Sequence, residues 1–184
     1  MTVDPIKRLR ADLTLLLVAT IWGSAFVAQR LAAGQFGILL FNGLRFLLGA
    51  LILLPFVLRG RQANPSGLDR PNVRLGVLAA GGLLFAASGL QHLGLRYTTA
   101  GNAGFITGLY VVFIPVILAI GWRKSPRRAV WVAAGLAAVG LFLLSTGGQL
   151  RLAFGDLIEL GGAILWALHV ILIGWLVSRM DVLH

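Results

Sequence analysis

Three residues near the C-terminal end of the chain carry groups able to bind a polar substrate or move a proton: Glu159, Trp166 and His169. Read as a helix at about 100° per residue, they fall within an arc of about 80°, with Gly162 leaving room between them. A carboxylate, an indole and an imidazole then share one face. Glu159 and His169 both titrate when buried, which makes them proton-coupling candidates. Each also has a structural reading. Glu159 lies within one turn of the start of its apolar run, where the helix dipole favours a carboxylate. His169, deeper in, can be a neutral ring bonded to a neighbouring helix.

A second group of polar residues is scattered through the earlier runs. Arg45 lies deep in an apolar stretch, where a guanidinium costs about 2.5–3.5 kcal/mol on insertion scales. It is either a group that binds a substrate anion or gates its passage, or a bundle-facing cation held by carbonyls or a carboxylate. Gln29, Asn42, Ser88, Gln91, His92 and Asn102 all fall toward the same end of their runs. They describe a polar vestibule on the outer side that narrows toward two aromatic residues, Trp22 and Trp166. The opposing reading is that run ends are polar anyway. Trp22, Arg45, Gln91, His92, Asn102, Trp166 and His169 are the candidate cavity residues.

These side chains need a scaffold, and composition says which kind. Of 184 residues, 58% are hydrophobic and 12% charged, and mean hydropathy is +0.90. A soluble domain carries about a quarter charged residues. Six runs approach or exceed the roughly 20 apolar residues that span a bilayer. They are Leu13 to Gln29, Phe36 to Leu58, Val73 to Leu95, Thr99 to Trp122, Ala129 to Ser145 and Leu157 to Val177. They are too long, and alternate too little, for barrel strands. The expected fold class is an all-α integral membrane protein of about six transmembrane helices. The first run follows Lys7, Arg8 and Arg10 but ends in Gln29-Arg30 without a small-x-small cleavage site, so it reads as a span and not a cleaved leader. Small residues (Gly101, Gly104 and Gly108 in the fourth run, Gly81-Gly82 in the third, Ala134 and Ala138 in the fifth) are expected to pack helices closely, and Pro115 to kink the fourth.

The net charge of +10 takes its meaning from where the basic residues lie. With the N-terminus in the cytoplasm, twelve Lys and Arg fall on inner segments, including Arg59, Arg61, Arg70, Arg74, Arg123, Lys124, Arg127, Arg128 and Arg179. Only Arg30, Arg96 and Arg151 fall outside. This is the positive-inside distribution, beside anionic lipid and not a nucleic acid. A multi-pass protein of a bacterial-type inner membrane is expected. Trp122, Trp131 and Trp175 sit near inner helix ends as interfacial anchors. There is no Cys, no metal-ligand spacing and no phosphate-binding loop, so no cofactor, metal or enzymatic activity is expected.

The first and last runs match each other. Asp12, Leu13, Leu16, Ala19 and Trp22 align with Asp156, Leu157, Leu160, Ala163 and Trp166 at one constant offset. Asp and Trp are scarce in this chain, so those two matches carry the argument. Five runs separate the starts of the two copies, so the second copy crosses in the opposite sense, as in the inverted repeats of secondary transporters. Leu15 and Ala25 stand where the second copy has Glu159 and His169, so the copies differ chemically. Residues 1–12 read as a basic cytoplasmic N-terminus, 13–150 as a five-helix repeat, and 151–184 as the first helix of a truncated second repeat.

Trp22-Gly23-Ser24-Ala25-Phe26, Arg45-Phe46, Tyr97 through Thr107 running to Pro115, and Gly155-Asp156 through Trp166-Ala167-Leu168 together resemble the EamA-type branch of the drug/metabolite transporter superfamily. The resemblance implies a 5+5 inverted-repeat fold with both ends cytoplasmic. It also implies secondary, non-ATP transport of small metabolites or drugs by alternating access, with the lipid bilayer and a small molecule as partners. Many members carry a Glu at the end of the fourth helix, where this chain has Trp122-Arg123. Two further readings stay open: a half-transporter that needs a second chain or forms a homodimer, and a non-transporting membrane fragment.

Overall fold

The computed structural model describes residues 5–35, 37–60, 70–121, 126–146 and 153–179. Phe36, Arg61, Trp122, Arg123, Lys124, Arg151 and the side chain of Lys7 lie outside the described residues. All regular structure among those described is helical: α1 (Pro5–Ala32), α2 (Ile38–Gly60), α3 (Pro71–Gly94), α4 (Ala100–Gly108), α5 (Tyr110–Gly121), α6 (Arg128–Thr146) and α7 (Phe154–Val177). Apolar residues dominate each helix, and the helical backbone satisfies its own polar groups, as a hydrocarbon surround demands.

Five spans are long and apolar enough to cross a membrane: α1, α2, α3, α4 with α5 as one span from Ala100 to Gly121, and α7. The sixth expected span, α6, is shorter, its apolar part covering Arg128–Leu143. The fourth span departs from expectation in its irregularity. The break falls at Leu109, whose N–H bonds to the carbonyls of Phe105 and Ile106 at 3.2 and 3.1 Å. Pro115 lies further on, inside α5.

The starts of the helices follow local chemistry. Pro71 opens α3, where its missing N–H costs nothing. Thr99 caps α4, its hydroxyl accepting from the Asn102 N–H at 3.1 Å. Asp156 accepts from the Ala153 N–H at 2.7 Å at the start of α7. Ala153 has no side-chain oxygen to complete a reciprocal capping box.

α3 and α7 form the central pair. α4 and α5 pack on α7, and α6 packs on both, while α2 lies on α3 and α1 on α4. One apolar cluster joins Ala33, Leu95 and Ala103 with Phe26, and another joins Val73, Ala80 and Leu176 with Leu172 and Trp175. Arg30 ties α1 to the α3–α4 turn by donating to the Leu95 carbonyl. Of the small residues expected to pack, Gly108 and Ala134 do so, with Leu141 of α6 against Gly108. Gly81, Gly82 and Gly104 face open space. The outer faces of α1 and α2 are lined with exposed large apolar side chains such as Leu16, Leu40, Ile52 and Phe56. Acyl chains are the environment that suits them.

Candidate functional site

Trp22 of α1 and Trp166 of α7 meet edge to face, ring centroids 5.9 Å apart at 68°. They border a cavity of about 320 Å³ between α1, α2, α3 and α7. Arg45 and Phe46 enter it from α2, Ser88 and Gln91 from α3, and Gln29 and Phe26 from α1. The Arg45 guanidinium lies 5.0 Å from the Phe46 ring centre and 5.9 Å from that of Phe41. Such contacts stabilise the charge from the ring faces but supply no hydrogen-bond acceptor. Of the two readings of Arg45, neither the carboxylate nor the carbonyl partner is found among the described residues.

Several polar atoms in and beside this cavity are buried without a hydrogen-bond partner. They are Trp166 Nε1, Gln29 Oε1, both amide atoms of Asn42 and both ring nitrogens of His92. Buried polar atoms are normally paired; of these residues, Trp166 and Gln29 line the cavity, while Asn42 and His92 do not. His92 stacks flat on Phe41 at 4.5 Å and 11°, fully buried beside the cavity and not in its lining. Asn42 approaches Gly89.

The other candidates go elsewhere. Asn102 is drawn to α7, its amide nitrogen 3.5 Å from Asp156 Oδ2. Asp156 also accepts from the Thr98 hydroxyl. Together they lock the start of α7 onto the α3–α4 turn. Glu159 is fully buried. Thr107 Oγ1 donates to its Oε2 at 3.2 Å, and Oε1 has no partner. Only glycine at position 94 leaves room for it, because a Cβ there would stand 2.7 Å from Glu159 Cγ. His169 Nδ1 meets the Ala80 carbonyl at 2.9 Å, and its ring stands perpendicular to Trp166, 5.9 Å away. Glu159 and His169 are ten residues apart, about 15 Å along the helix. They therefore occupy separate environments.

The sequence profile of the EamA-like transporter family matches residues 9–146. The chain belongs to this family. It is 35% identical over 171 residues to an uncharacterized transporter of Archaeoglobus fulgidus, an alignment covering 92% of this chain and 51% of that protein. It is 27% identical to the uncharacterized inner membrane transporter YedA of Escherichia coli K12, covering 80% of this chain and 47% of the relative. It is 26% identical to the uncharacterized transporter YyaM of Bacillus subtilis, covering 90% and 56%. The chain thus spans about half the length of the curated relatives it matches. No solved structure matches it significantly. With its several apolar helices, this EamA-like chain is a multi-pass membrane protein of a transporter family.

Within this EamA-like chain the sequence singled out four of the cavity's lining residues as candidates: Trp22, Arg45, Gln91 and Trp166. It gave no cavity role to Phe26 and Phe46, which entered only as members of the motifs, or to Phe41, which read as an ordinary apolar residue. Phe46 directly follows Arg45, and an aromatic beside a buried cation was the available signal. Thr107 and Gly94, which enclose Glu159, gave none, because their roles depend on how α3, α4 and α7 cross. A larger cavity of about 630 Å³ lies toward the other end, among Leu75, Gly76, Leu118, Leu168, Leu172 and Trp175. The vestibule reading did not anticipate a second cavity there. Trp175 also stacks under Arg179 at 4.1 Å, the pairing expected of an interfacial anchor.

Proposed function

We propose that this chain forms part of a secondary transporter for small metabolites, driven by no nucleotide, with its substrate site at the cavity between Trp22 and Trp166. The observation that carries the reading is the meeting of the two repeat-related indoles over a pocket that contains Arg45 and unpaired buried polar atoms. In a fold of two inverted repeats, residues near the pseudo-two-fold axis meet at mid-depth, where a transported molecule must pass. Residues 13–150 are the first repeat and 151–184 the opening of the second. Rocking of one repeat against the other would expose the cavity to each side in turn.

The N-terminus is proposed to be cytoplasmic, on the distribution of basic residues. Protons are the proposed coupling ion, with Glu159 as the carrier: it is a fully buried carboxyl with one oxygen unpaired and an indole-lined cavity about 10 Å along the same helix. His169, held by the Ala80 carbonyl, sets the orientation of Trp166. The alternative is an assembly in which this chain works with another chain or another copy of itself. Crosslinking in native membranes distinguishes the two arrangements.

The test is a metabolite profile of cells expressing the chain, and of cells expressing Trp166→Ala or His169→Ala. A class of small molecules that shifts across the membrane with the wild type, and does not with the variants at equal expression, supports the site. Equal transport by Trp166→Ala removes it.

A further inference from the structure

We infer that the cavity selects a small organic anion, a carboxylate on a flat apolar body. This rests on reading the cavity as the substrate site, and goes beyond it by naming the chemical class. Arg45 is the only charged residue among those described that line it. The described carboxylates are engaged or distant. Asp156 is held by Thr98, Asn102 and the Ala153 N–H, and Glu159 by Thr107. Asp12 lies ten residues before Trp22 on α1, about 15 Å away along the axis. The Phe41 and Phe46 rings hold the guanidinium without offering it an acceptor. A guanidinium in this setting presents a planar fork of donors that matches two carboxylate oxygens.

The rest of the pocket defines the body of the ligand. The indoles of Trp22 and Trp166 and the ring of Phe46 give it aromatic walls. Trp166 Nε1 is a buried donor with no acceptor, and so is complementary to an electron-rich ligand atom. Gln91 and Ser88, both nearly fully buried, add neutral polar groups near Arg45. An engineered cavity of about 150 Å³ holds benzene. A pocket of about 320 Å³ therefore accommodates one ring and a short carboxylate arm.

A matched series of probes tests this with the full chain in lipid nanodiscs. Phenylacetate, phenylacetamide and 2-phenylethylamine share a ring and differ in charge, and acetate lacks the ring. Binding is read by calorimetry and by quenching of tryptophan fluorescence. Phenylacetate is expected to bind about ten- to a hundredfold more tightly than the amide, the range for a hydrogen bond to a charged group. The amine and acetate are expected to bind more weakly still. Arg45→Gln is expected to equalise acid and amide, and Arg45→Lys to restore part of the preference. The wild-type series decides the question even where Arg45→Gln fails to fold. Equal binding of acid and amide, or preference for the amine, overturns the anion class and leaves the cavity as a site. Absence of binding by all four probes overturns both.

Discussion

Replacing Gly155 by alanine attacks the contact on which the position of α7 depends. A Cβ at this residue would stand 2.5 Å from the Gly94 carbonyl oxygen, 2.8 Å from the Thr98 nitrogen and 2.8 Å from the Tyr97 carbonyl carbon. All three are backbone atoms of the α3–α4 turn, so no rotamer change relieves the clash. α7 must move away from the turn. That movement stretches the Thr98–Asp156 and Thr107–Glu159 hydrogen bonds, which cross the same gap. The cost belongs at or above the top of the usual overpacking range of about 1–3 kcal/mol. The helix propensity gained from Gly to Ala returns at most about 1 kcal/mol. Gly76→Ala is the control. Its Cβ would meet Leu176 Cδ2 at 2.9 Å and Trp175 Cζ3 at 3.1 Å, both outer atoms of side chains able to turn aside. Gly23→Ala meets nothing within 4 Å. Thermal unfolding in detergent, followed by helical circular dichroism, should rank Gly155→Ala lowest, about 6–12 °C below wild type for a loss of about 3 kcal/mol. Gly76→Ala should fall much less, and Gly23→Ala should match or exceed wild type. A Gly155→Ala midpoint at the wild-type value, or below-wild-type stability confined to Gly76→Ala, would refute this account of the junction.

Asp156→Ala orphans the Thr98 hydroxyl and the Ala153 N–H, and should cost about 2 kcal/mol in the same assay; Asp156→Asn keeps one acceptor and should lose about half as much. Equal stability of all three would mean that the junction does not depend on this carboxylate. Glu159→Gln preserves the shape of the side chain and an acceptor for Thr107, so it should express and fold as wild type. Uptake driven by a proton gradient should be lost while exchange without a gradient persists; gradient-driven uptake at the wild-type rate would end the coupling proposal. Because the chain has no cysteine, single cysteines report sidedness without background. A membrane-impermeant maleimide on intact cells should label Tyr97→Cys and spare Arg70→Cys, and the reverse pattern would invert the proposed topology.

The helical character of the chain was legible because a bilayer imposes length and hydropathy on every span. The positions of the apolar runs accordingly match the helices to within a few residues, except that α1 begins at Pro5, well before its run at Leu13. The break at Leu109 was not read from the sequence: Gly108 directly before it reads as a close-packing residue, and Pro115 is the expected site of irregularity. Trp22 and Trp166 stood out because indoles are scarce and their spacing repeats. Asn102 misled for a physical reason. A polar side chain near a helix start serves a cavity or a neighbouring helix equally well, and only the nearness of Asp156 decides between them. His92 likewise reads as a vestibule residue, yet its ring is buried flat against Phe41. The enclosure of Glu159 depends on Gly94 and Thr107, which belong to two other helices, and a linear pattern carries no record of that crossing.

The two scarce matches between the first and last helices do different things, and the difference bears on how α7 works. Asp156 is buried at the third position of α7 and fastens it to the α3–α4 turn, whereas Asp12 lies exposed two turns inside α1. The indoles, by contrast, find each other. Of the two scarce matches, then, the structure brings together the indoles and leaves the two aspartates in different settings. On α7 itself, a face spanning about 80° meets three surroundings in succession. Glu159 enters the crevice by Gly94 and Thr107, Trp166 borders the cavity, and His169 reaches the Ala80 carbonyl. A helix is stiff over this distance, so a shift of α7 against α3 changes all three environments together. Glu159 and the cavity need no direct contact to influence one another. In the proposed coupling, the rigid body of α7 that carries both would supply the link.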